Sequence, residues 1–129
     1  MSKKLIQLNY PNAVISKVLF KDYDYMVQHN TETYYVKKIG ASHRTILSIN
    51  SKYVWEIRRG RPDGLNFKTS GKTMIDMKEF SKRKNKIVVL DSKPYKILKY
   101  LNESEVEDIT NETEVHDIKI CHSFYEFKI

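Results

Sequence analysis

Between Tyr53 and Lys78 the chain reads YVWEIRRGRPDGLNFKTSGKTMIDMK, and this stretch constrains the fold more than any other. Tyr53, Trp55 and Ile57 alternate with Val54, Glu56 and Arg58, which gives one apolar and one largely charged face at the period of a β-strand. Gly60 and Pro62 interrupt that run. Leu65 and Phe67 then share a side, Ser70-Gly71 is a turn signal, and Thr73 to Lys78 carries Met74 and Ile75 into Asp76-Met77-Lys78. The spacing predicts three short strands closing a hairpin, with Asp63 at the start of one arm and Asp76 and Lys78 at the end of the other.

Residues two apart on a strand share a face, so Asp76 and Lys78 are expected to project together while Met77 enters the core, with Asp63 opposite them. Two converging carboxylates suit a hard divalent cation such as Mg2+ or Mn2+, and a neighbouring ammonium can orient a metal-bound water. In Pro62-Asp63, a gap of a dozen residues and an apolar run ending in Asp76-x-Lys78, the sequence resembles the PD-(D/E)xK nuclease superfamily. The start Gly60-x-Pro62-Asp63-Gly64 is most similar to its Holliday-junction-resolvase and VRR-NUC branches. The resemblance spans residues 32 to 102 and departs from the commoner pattern in having Asp76 in place of glutamate. It implies a restriction-endonuclease-like core, metal ligands at Asp63 and Asp76, a water-positioning Lys78, and Glu32 or Glu56 as an auxiliary acid. The activity implied is metal-dependent endonucleolytic cleavage of DNA phosphodiesters.

Charge points to the same partner class. Residues 1 to 100 hold 21 basic and 8 acidic side chains, whereas residues 101 to 129 hold 2 and 8, so a basic body precedes an acidic C-terminal segment. A body of net charge +13 favours a polyanion, DNA ahead of RNA, bound with release of counterions. Arg58, Arg59, Arg61, Lys68 and Lys72 would form a basic wing, and Lys82 and Arg83 would hold a phosphate backbone. Glu103 to Asp117 has seven acids and no base and is expected to be exposed. It either adds solubility or covers the basic surface. The length of 129 residues suits a single domain. With no apolar run long enough for a membrane span and no apolar leader in MSKKLIQLNY, a cytoplasmic protein is expected. The one cysteine, Cys121, reads as a small buried hydrophobe, and His116, Asp117 and His122 have no zinc spacing.

Elsewhere helical spacing competes with strand composition. Ile15, Val18, Leu19, Tyr25 and Met26 predict a helix from Asn12 to Gln28, although this segment would also suit a strand closing a hairpin over residues 29 to 33. Thr31 and Ser42 can cap helices ending near Gly40 and Asn50. The pattern of Val36, Ile39, Gly40, Ala41, Ser42, Thr45, Ile46 and Ile49 resembles a helix-turn-helix, which would turn His43, Arg44 and Ser48 toward DNA. Ile87 to Leu90 reads as a strand, Pro94 to Leu101 as a helix, and Ile118 to Ile129 as the end of the sheet.

The fold expected is therefore α+β, a small central mixed or antiparallel sheet with flanking helices. The first functional expectation is a magnesium-dependent nuclease, phage-like in its size and charge. The alternatives are a helix-turn-helix regulator without catalysis and a small virus-encoded inhibitor binding a host protein. A homodimer fits any of them.

Overall fold

The computed structural model describes residues 2–109 and 114–129, and in these the chain is built mainly from strands. Helix α1 (Ser2–Asn9) leads into β1 (Val14–Lys17), β2 (Tyr25–His29) and β3 (Glu32–Ile39). Strand β4 (Thr45–Ile49) follows, then the long hairpin β5 (Val54–Asp63) and β6 (Asn66–Asp76) and the single turn α2 (Lys78–Ser81). The remainder is β7 (Lys86–Leu90), β8 (Lys96–Tyr100), β9 (Val106–Asp108), β10 (Glu114–Val115), β11 (Ile118–Cys121) and a 3-10 turn, Phe124–Glu126.

The strands form two sheets. The first has the order β1-β2-β3-β7-β11-β10 and the second β6-β5-β4-β8-β9. The chain passes from the first sheet to the second between β3 and β4 and between β7 and β8, and returns between β6 and β7 and between β9 and β10. Strand β7 lies parallel to β3, as β8 does to β4. The two corners therefore stack, and hydrogen bonds tie one to the other. The Asp91 N–H donates to the Ile39 carbonyl, the Ala41 N–H to Asp91 Oδ1 at 2.6 Å, and the Ser92 hydroxyl to the Ala41 carbonyl at 2.7 Å.

Burial follows from this layering. Leu47, Ile49, Trp55, Ile57 and Ile97 of the second sheet meet Val88, Leu90, Ile118 and Ile120 of the first, with Met77 and Phe80 closing the same core. On the other side of the first sheet, Val27, Val36, Ile87 and Val89 are covered by Ile6 of α1 and by Phe124 and Phe127. Both faces of β7 are thus dry, and its sequence is a continuous apolar run without alternation.

The α+β expectation with flanking helices is overturned: among the described residues there are two sheets of six and five strands and two short α-helices. The predicted helix over 12–28 is replaced by β1 and β2, and the hairpin over residues 29 to 33 forms, with Asn30 and Thr31 at φ 50° and 68°. Residues 31–50 hold no helix-turn-helix. They are β3 and β4, and Gly40 sits at the inter-sheet corner. The predicted helix over Pro94–Leu101 is strand β8. Val, Ile, Thr and Tyr dominate these segments, and their fit to a buried pleated surface prevailed over the helical spacing of a few apolar positions. Four residues of the acidic segment, 110–113, lie outside those described.

No described helix is long and apolar enough to cross a membrane. Cys121 is buried beneath the final residues, and burial pushes its thiol pKa up.

Candidate nucleic-acid interface

The hairpin of β5 and β6 turns at Gly64-Leu65, six residues before the expected Ser70-Gly71 turn. Asp63 pairs with Asn66, and Gly64 takes φ 62° at the first turn position, which a side chain would strain. Ser70-Gly71 is not a turn. The register slips between Arg59 and Gly60, so Ser70 is an extra residue in β6 and the arm beyond it bends. Gly60 is required there, since a Cβ on it would lie 1.9 Å from the Lys68 carbonyl oxygen. Its N–H donates to the Arg44 carbonyl at 3.0 Å, which fixes the bent arm to the corner carrying His43 and Arg44.

Beyond Arg59 the hairpin has no β4 partner, because β4 begins at Thr45 opposite Arg59. In this free arm and at its root, cations oppose cations across the ladder: Arg58 faces Lys72, and Arg61 faces Lys68. Like charges directly opposite destabilise an antiparallel pair. Among the described residues no carboxylate pairs with Arg61, Lys68 or Lys72.

On the outer face of the second sheet the register sets Lys72, Arg58, Ile46 and Lys96 side by side, a row crossing four strands. At about 4.8 Å per strand it spans roughly 14 Å. Arg58 is held rigidly within it. Its Nη2 donates to the Tyr100 hydroxyl at 3.0 Å and its Nε lies 3.5 Å from Glu56 Oε1. Glu56, only 6% exposed, is in turn bound by Asn50, whose Oδ1 accepts the hydrogen bond of the buried Ser48 hydroxyl at 2.6 Å. Next to the row, Phe67 stacks on Tyr95 at 5.5 Å, and Lys96 lies over the Tyr95 ring. The sequence reading gives Lys96 and Tyr95 no binding role because residues 94–101 read there as a helix, and it places Phe67 only as an apolar residue of the hairpin. The alternation of Lys96, Leu98 and Tyr100 with Ile97 is the period-two signal that marks them.

Two of the expected phosphate contacts are otherwise engaged. Arg83 forms a fork with Asp22, Nε to Oδ2 at 2.7 Å and Nη2 to Oδ1 at 2.8 Å, and lies over both the Tyr23 and Tyr35 rings, 4.4 and 4.8 Å from their centroids, which are themselves 5.0 Å apart edge to face. The Arg83 hydrogen bond holds the Asp22 carboxyl below the usual carboxylate range, and the Arg83 pKa is raised by the same bond. Lys82 pairs with Glu79 at 3.2 Å at the exposed end of α2. Arg59 donates to the Thr73 hydroxyl and faces the inner side of the hairpin.

The residues expected to hold a metal do not converge. Asp63 is at the hairpin tip and Asp76 at its base, opposite Val54, nine residue steps away along β5. At about 3.3 Å per residue this is roughly 30 Å. Asp76 Oδ1 accepts the Lys78 N–H at 2.9 Å, and Lys78 starts α2, so the two do not share a strand face. Glu32 begins β3 in the other sheet, bonded to Asn85. Glu56 is diagonal to Asp76, but Asn50 and Arg58 occupy its oxygens. Residues so placed do not fit an Mg2+ or Mn2+ ion shared by Asp63 and Asp76, and no group of three or more His, Cys, Asp or Glu side chains gathers for a metal among the described residues.

Part of the acidic segment, Val106–Asp108, has a definite place. Strand β9 forms the edge of the second sheet remote from β6, so charge of opposite sign borders the two edges of one sheet. No protein-family model, curated protein or solved structure matches this chain.

Proposed function

We propose that the protein binds nucleic acid, DNA ahead of RNA, through the β5–β6 hairpin and the cationic row at its root, without cutting it. The observation that carries this reading is the pairing of Arg58 with Lys72 and Arg61 with Lys68 on a hairpin that protrudes past its sheet. That arrangement costs stability in the isolated chain, and a line of phosphates relieves it. A two-stranded ribbon fits the major groove of B-form DNA, whereas the major groove of A-form RNA is too narrow for it. His43 and Arg44, joined to Gly60 through the backbone, flank the same arm. Cleavage would require carboxylates that the hairpin holds apart, so the proposal stops at binding.

The test is fluorescence anisotropy on duplex DNA, duplex RNA and single strands across a salt series. With about five phosphate contacts, log K should fall against log[salt] with a slope of about −4.5, and Arg61→Ala/Lys68→Ala/Lys72→Ala should reduce that slope by about 2.7. Absence of binding to any nucleic acid at low salt, with stable capture of a protein partner, would replace this reading with that of a protein-binding inhibitor.

A further inference from the structure

The two sheets part at the edge where β5 and β6 pass the end of β3, leaving an open cleft of about 450 Å³. Ile39, Ile57 and Ile75 supply apolar surface to its lining. Lys37, Arg59, Thr73 and Asp91 supply charged and polar groups to the same lining. We propose that this cleft binds a small phosphomonoester with a planar or apolar body, of which a mononucleotide is the simplest example.

The volume lies in the range of small-molecule sites, and the lining is divided about evenly between polar and apolar surface, which suits a ligand with both. Arg59 is positioned before any ligand arrives. One terminal nitrogen is held by Thr73 Oγ1, which leaves other guanidinium N–H groups for an anion. Lys37 shares with Ile39 the face of β3 that is turned to the cleft, and its Nζ donates to the Asp22 carbonyl at 3.3 Å, which holds the ammonium in place. Asp91 sets the polarity of the ligand. One of its oxygens is occupied by the Ala41 N–H, and the other lies open beside Gly40, since a Cβ on Gly40 would meet only that oxygen, at 3.9 Å. A second anionic group beside it is repelled, whereas a donor such as an exocyclic amine is accepted. The ligand that these groups suit carries an anionic group for Arg59 and Lys37, a flat or apolar body for Ile57 and Ile75, and a hydrogen-bond donor for Asp91.

This site faces the inner side of the hairpin and is separate from the polymer surface, and the tests separate the two. Nitrogen-15-labelled wild type is titrated with adenosine 5′-monophosphate, ribose 5-phosphate and inorganic phosphate. Saturable amide shifts at Gly40, Ala41, Ser42 and Thr73 are expected with adenosine monophosphate, weaker ones with ribose 5-phosphate, and the weakest with phosphate. Arg59→Ala should weaken the nucleotide by about tenfold. Thr73→Trp, which fills the exposed rim, should remove its binding, with circular dichroism checking the fold of both variants. The triple variant Arg61→Ala/Lys68→Ala/Lys72→Ala should bind the nucleotide as wild type does while losing duplex DNA. Absence of saturable shifts at millimolar nucleotide, or shifts located away from the cleft, overturns the proposal, as does nucleotide binding that survives both Arg59→Ala and Thr73→Trp.

Discussion

Arg83 joins the segment after α2 to the loop before β2, and its removal should cost more than an ordinary surface charge does. The guanidinium makes two charge-assisted hydrogen bonds to Asp22 and lies over two adjoining tyrosine rings, with side-chain exposures of 29% and 18% for Arg83 and Asp22. The paired hydrogen bonds contribute about 2 kcal/mol after screening, near the lower end for charged groups. Two partly exposed ring contacts add about 1 kcal/mol together. Arg83→Ala should therefore destabilise the protein by about 3 kcal/mol, which for a domain of this size lowers Tm by roughly 10 °C. Arg83→Lys keeps the charge but loses the fork, and should cost at least half as much. The assay is urea unfolding of wild type, Arg83→Ala, Asp22→Asn and the double variant, with a coupling energy of about 2 kcal/mol expected from the cycle. The pH dependence has a definite sign. Asp22 has a depressed pKa in the folded state, so its contribution is full above the unfolded value of 3.8 and is lost as pH falls through the folded value. Asp22→Asn should abolish that acid-range loss. A coupling below about 0.5 kcal/mol, the worth of an exposed pair, would refute this account.

Gly60→Ala should destabilise by about 1–3 kcal/mol, because its Cβ would overlap the Lys68 carbonyl, whereas the nearest atom to a Cβ at Gly71 is the flexible Arg59 guanidinium at 3.8 Å. Gly71→Ala is therefore the control, and thermal unfolding of the two variants reads the difference. His116 forms the β10–β11 turn with Asp117, and burial chiefly lowers its pKa from 6.5, aided by Lys99 and Lys52. The unfolded chain then binds the proton more readily, so stability should fall as pH drops below 6.5, and His116→Asn should flatten that slope in urea titrations from pH 7.5 to pH 5.

What the sequence disclosed depended on how each strand is buried. Trp55 and Ile57 face the core while Glu56 and Arg58 face outward, so β5 alternates and is recognised at once. Strands β2, β3 and β4 have apolar or aromatic residues on both faces. With Thr45 to Ile49 buried throughout, β4 offers no alternation, and ordinary spacing then looks helical. The hairpin was legible but its turn was not. Both Gly64 and Ser70-Gly71 are turn-forming, and only the crowding at Gly60 against Lys68 shows that the second is a bulge. That displacement separates Asp63 from Asp76, while the basic residues of the hairpin gather in any register because they are close in sequence. Arg83 could not be told from a phosphate contact, since its partner Asp22 is distant in the chain.

The edge strand β6 runs for eleven residues with its outward N–H and C=O groups unpaired by any further strand of its sheet. An edge of that length is a template for adding strands from other molecules. Lys68 and Lys72, and the kink at Ser70, are the devices by which sheet proteins prevent such growth. The charges proposed to hold phosphate thus keep separate copies from joining edge to edge. Variants that neutralise them should lose colloidal stability as well as affinity, and light scattering should accompany every binding measurement made on them.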